Sequence, residues 1–78
     1  MTAAEIFAAA FYAGRPPRSP EYRDGMLKHL RYGLGEAEKP VCPHAEGTAA
    51  FDAWFAGVGE SWLRLEDNGI TRPKGGAL

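Results

Sequence analysis

The stretch TAAFDAWFAGVGESWLRLED, residues 48–67, decides the fold. Its apolar residues Phe51, Trp54, Phe55, Val58, Trp62 and Leu65 fit the i, i+3, i+4, i+7 spacing that puts one side of a helix against a core. Thr48 reads as the N-cap and Asn68-Gly69 as the close. Trp54 and Phe55 fall in the middle of the stripe, so both are expected to be mostly buried. Gly57 and Gly59 weaken such a helix by up to about 1 kcal/mol each, so something must offset them. With Ala53 and Ala56 they leave one side nearly bare, which lets a neighbouring helix approach closely. The alternative, that the bare strip docks a partner, stays open.

Upstream, residues 36–47 carry Pro40, Pro43 and Gly47 with no periodic apolar pattern, which predicts an ordered but irregular loop around Cys42-Pro43-His44. Before it, Ser19-Pro20-Glu21 reads as an N-cap, a proline at the first helical position and an acid placed well for the helix dipole. A helix follows, with Tyr22, Met26, Leu27, Leu30 and Leu34 as its stripe and Gly33 and Gly35 as its end. Gly25 inside it predicts a close approach by a neighbour. Furthest upstream, Thr2 and Glu5 form a capping-box pattern, and Ile6, Phe7, Ala10 and Phe11 predict a first helix over residues 3–13, closed by Gly14 and Pro16-Pro17.

The expectation is therefore an all-α fold, a small three-helix single domain over residues 1–69, with an irregular Cys-Pro loop before the third helix. Residues 70–78 are expected to form a flexible C-terminal tail. At 78 residues the core must rest on a few large side chains, and nine aromatic residues supply them. The apolar opening residues lack a basic leader and are too short to span a membrane. With one cysteine and no other to complete a zinc site, the expected setting is a reducing cytoplasm, with no metal and no cofactor.

Net charge is −1, but it is unevenly spread. Arg15, Arg18, Arg23, Lys28 and Arg31 face only Glu21 and Asp24 across residues 15–31; Glu46, Asp52, Glu60, Glu66 and Asp67 face only Arg64 across residues 46–67. Solvated helix faces explain such a split, and so does one end that meets a charged partner.

Catalytic constellations are weak. Cys42 and His44 sit two apart with a proline between them, an awkward arrangement for a nucleophile and its base. The expected roles are a small buried thiol anchoring the loop and a capping or exposed His44. His29 is expected on the helix surface. Asp52 and Glu60, two helical turns apart, would need a pocket between them for acid–base work, and so small a domain has little room for one. No phosphate-cradling loop, metal-binding repeat or nucleophile elbow is present in the sequence. No catalytic residue is assigned.

Gly33 in a basic helix, then Cys42-Pro43 with a ring-bearing His44, then Trp54-Phe55-Ala56-Gly57 and Glu60, make residues 22–62 resemble the ribosome modulation factor family and its CrpP relatives. That resemblance implies two helices flanking the Cys-Pro loop, docking on ribosomal RNA and ribosome hibernation, or, on the CrpP side, a small-molecule-modifying enzyme. This chain departs from the strongly basic ribosome modulation factors in being slightly acidic and in its added N-terminal helix.

The same pattern, preceded by a short helix and an Arg-Pro-rich turn, is similar to small phage-borne accessory proteins, among them inhibitors of type I CRISPR complexes. As a class these block a DNA-binding groove without chemistry. Such a groove is lined with Lys and Arg, so an acidic patch of Asp52, Glu60, Glu66 and Asp67 would compete for it. The leading expectation is thus a non-catalytic phage-type inhibitor, an anti-CRISPR acting as a monomer or weak dimer on a type I CRISPR surveillance complex in the host cytoplasm. The alternatives are a ribosome binder that contacts ribosomal RNA through Arg15, Arg18, Arg23, Lys28 and Arg31, and a CrpP-like enzyme.

Overall fold

The computed structural model describes residues 1–71 as three helices, α1 (Ala3–Ala10), α2 (Pro20–Gly33) and α3 (Ala49–Asp67), with no strand among them. The protein is a small, compact, all-α three-helix domain. None of the described helices is long and apolar enough to cross a membrane.

Local chemistry sets most of the helix ends. Thr2 Oγ1 accepts from the Glu5 amide at 3.2 Å while Glu5 accepts from the Thr2 amide at 2.8 Å, a complete capping box. Ser19 and Thr48 accept from Tyr22 and Phe51 at the starts of α2 and α3. Gly35 and Gly69 take positive φ just past α2 and α3, and the amides of Glu36 and Ile70 reach back to the carbonyls of Arg31 and Leu65.

The first helix departs from expectation. It stops at Ala10 instead of reaching residue 13, and Gly14 does not take positive φ. Arg15, five residues on and anchored on Glu60 of α3, donates from Nη1 to the Ala10 carbonyl at 2.6 Å, so a side chain satisfies the helix end that Gly14 was expected to close.

The core lies at the crossing of α2 and α3. Met26 and Leu30 meet Trp54, Val58, Trp62 and Leu65, all buried, and Ala3, Ile6 and Ala10 of α1 close the third side. A Cβ at Gly25 would strike the Trp54 carbonyl, and one at Gly57 would strike the Tyr22 carbonyl, so the two backbones touch where each helix has no side chain. Gly59 is different. A Cβ there would meet nothing within 4 Å, so this second glycine does not serve the crossing.

Trp54 is 0% exposed and its Nε1 donates to Asp24 at 2.9 Å, whereas Phe55, expected to be mostly buried, is only half-buried against Phe51 and Trp54. Ile70, placed by sequence in the tail, packs on the core; residues 72–78 lie outside the described residues.

Candidate functional site

The charged residues singled out by sequence fall into two groups. Arg15 and Glu60, one from each expected patch, are each other's partner. The guanidinium of Arg15 makes a two-pronged contact with Glu60, at 2.7 Å and 2.5 Å, across 45 residues of chain. Tyr22 Oη donates to the same carboxylate at 2.5 Å, and Arg64 donates from one turn further along α3 at 3.1 and 3.2 Å. The side chains of Arg15 and Glu60 are only 12% and 11% exposed.

These donors, Arg15 first, hold the Glu60 carboxyl at about 2, well below its ordinary range, against a burial that works the other way. Burial and the bond to Glu60 push the Tyr22 hydroxyl up, so it stays a donor. The cluster is therefore an internal tie. Arg15 binds the end of α1 and the flank of α3 at once, and its plane also lies over the Phe11 ring, 4.5 Å from the centroid. Glu60 does not stand beside Asp52: the first is engaged in the tie and the second is exposed on another part of α3.

What remains at the surface is sorted by helix. On α3, Asp52, Ala56, Leu63, Glu66 and Asp67 are exposed and Gly59 is half-exposed. Steps of four, three, four and three residues from Asp52 to Glu66 put them along one side, over roughly 21 Å of helix. The strip has a shallow apolar middle with an acid at one end and two at the other. Leu63 is 62% exposed, and Tyr12, equally exposed, stands beside it on the wall of an open groove that also takes in Ala56, Gly59 and the Arg15–Glu60 tie.

On the basic side, Arg18, Arg23 and Arg31 are exposed. Arg18 lies over the Tyr22 ring at 4.9 Å, and Lys28 pairs with Asp24 at 3.3 Å. Each predicted patch thus loses its most buried member, and the basic one has a second cation engaged.

The Cys-Pro loop forms a separate recess. Cys42 is half-buried, its Sγ 3.9 Å from the His44 carbonyl oxygen, and both residues line a concavity with Phe51, Trp54 and Phe55. His29, expected at the surface, is buried at 1% exposure on its inner wall. It follows Met26 by three residues and Gly25 by four, so the α2 stripe itself held the signal that places it inward. Among the described residues no three His, Cys, Asp or Glu side chains are grouped to hold a metal ion.

The i, i+4 spacing of Glu60 and Arg64 makes their pairing readable from sequence. Nothing local signals the partnership of Arg15 with Glu60. Comparison with protein-family models, with curated proteins and with solved structures finds no match to this chain.

Proposed function

We propose that this protein is a non-catalytic binding protein, a phage-type inhibitor that occupies the basic, nucleic-acid-holding groove of a type I CRISPR surveillance complex. The observation that carries this reading is the exposed side of α3, where Ala56, Gly59 and Leu63 lie between Asp52 at one end and Glu66 and Asp67 at the other. A protein-binding patch commonly has an apolar centre and a polar rim. An acid rim suits a groove lined by Lys and Arg, because opposite potentials steer the encounter and fix the register. Glu60 drops out of the rim and contributes instead by holding α1 against α3.

A second reading, a ribosome modulation factor-like protein on ribosomal RNA, is favoured by one observation: Arg18, Arg23 and Arg31 are exposed, and among the described residues no ion pair engages them. Three phosphate contacts would give a log–log salt slope of only about −2 to −3, a modest figure for a nucleic-acid binder.

Charge reversal separates the two. In pull-downs against purified surveillance complex and purified ribosomes, Asp52→Lys with Glu66→Lys is expected to abolish capture of the complex and its protection from DNA, while Arg18→Glu, Arg23→Glu and Arg31→Glu leave both intact. Capture of ribosomes alone, lost with the arginine changes, would establish the second reading and end the first.

A further inference from the structure

The recess beside the Cys-Pro loop contains a polar atom that the packing leaves unused. His29 Nδ1 lies 3.3 Å from the Gly25 carbonyl oxygen, and its Nε2 is buried with no hydrogen-bond partner. A carbonyl only accepts, so in the neutral ring Nδ1 carries the hydrogen and Nε2 is left as a bare acceptor. The ring is held neutral: burial, chiefly, and the positive charge of Lys39 push its pKa below the ordinary value, over the opposing effect of the Gly25 carbonyl.

A buried acceptor without a donor is destabilising. Phenylalanine would keep the edge-on contacts of this ring with Trp54, at 5.2 Å, and Tyr32, at 6.2 Å, without that cost. The nitrogen therefore calls for an explanation that stacking does not supply.

The surroundings provide one. The ring and the fully buried Trp54 lie beneath an open recess of about 390 Å³, to which Phe51 and Phe55 supply aromatic surface and Lys39, Cys42, His44 and Glu46 polar lining. A concave, mostly apolar site with few polar groups is the usual form of a small-molecule site. Nε2 itself is covered, so a donor reaches it only when a wall moves aside, and the Pro40–His44 wall is the one without helical hydrogen bonds.

We propose that this recess binds a small planar aromatic molecule bearing one N–H or O–H donor, its ring lying against Phe51 and Phe55 and its donor bonded to His29 Nε2. The site is separate from the exposed strip of α3 and does not depend on what that strip binds.

Indole and 1-methylindole test it, since they share a ring system and only the first can donate. In NMR titrations of the whole chain with histidine side chains labelled with nitrogen-15, indole is expected to bind at least about tenfold more tightly than 1-methylindole, a difference of about 1.4 kcal/mol. It should also shift the His29 Nε2 resonance, which 1-methylindole should leave in place. In His29→Phe the preference is expected to fall to within about twofold, with 1-methylindole binding unchanged. Equal affinity of the two probes for the parent, no binding of either up to about 5 mM, or an unmoved Nε2 resonance each overturns the proposal. The resonance is read on the parent protein, so the result stands even if His29→Phe fails to fold.

Discussion

The crossing of α2 and α3 and the attachment of α1 are held by different physics. At the crossing, two helices meet through bare backbone at Gly25 and Gly57, with Trp54, Met26 and Leu30 fully buried around the contact. Shape decides there, and acid acts on it only by protonating His29, whose pKa burial against Trp54 pushes down. At the α1 junction, Ala3, Ile6 and Ala10 supply small buried surfaces, and the register is fixed by Arg15 reaching from the Ala10 carbonyl to Glu60. Charge and hydrogen-bond geometry decide there, so this junction should respond to acid. A small domain can thus have a centre set by shape and an edge set by charge.

The crossing is most exposed to truncation and overpacking. Trp54→Ala should cost about 3–5 kcal/mol, which in so small a domain abolishes cooperative thermal unfolding. Gly57→Ala should cost about 3 kcal/mol or more, because the added methyl meets the Tyr22 carbonyl and backbone cannot step aside as a flexible side chain can. A Gly57→Ala variant that melts like the parent would show that the helices do not touch at this point.

The junction is next. Arg15→Ala should cost about 2–3 kcal/mol, since it leaves a nearly buried carboxylate with part of its bonding lost and opens the end of α1. The pH dependence follows from the sign of the shift. Glu60 is held at about 2 against an ordinary 4.5, so its contribution is whole above about pH 4.5 and is lost as pH falls toward 2. Acid titration followed by circular dichroism should show the parent losing stability across that window and Glu60→Gln, already weaker at neutral pH, losing much less. Equal acid sensitivity of the two would remove the tie from the account.

The smallest effect sharpens the contrast most finely. Gly59→Ala should raise stability by up to about 1 kcal/mol, because the methyl meets open space and helix propensity improves. Two glycines two residues apart on one helix are then expected to respond with opposite signs.

Those glycines also mark how far the sequence could be read. Both were legible as helix-weakening positions that needed a reason, and at about 200° apart around the helix they cannot share one bare side: the stripe itself puts Gly57 beside Trp54 and Val58 and turns Gly59 away from α2. Caps were legible throughout, at Thr2, Ser19 and Thr48 and at Gly35 and Gly69, because each depends on residues within one turn. The end of α1 was not, because a side chain, Arg15, takes the Ala10 carbonyl, and what holds Arg15 there is Glu60, 45 residues away. That separation hid the Arg15–Glu60 tie and made Glu60 look like surface charge. His29 was misplaced for a different reason: its polarity outweighed its position in the buried stripe of α2.

The central claim is that the exposed strip of α3 is a binding surface with an apolar middle, and Leu63 is the residue that tests it without touching the core or the tie. Leu63→Glu should melt within a few degrees of the parent, since the side chain is 62% exposed. Measured by titration against a purified type I surveillance complex, it should bind at least about a hundredfold more weakly, the scale of a central contact in an interface. A Leu63→Glu protein that is folded and binds the complex as tightly as the parent would contradict the account.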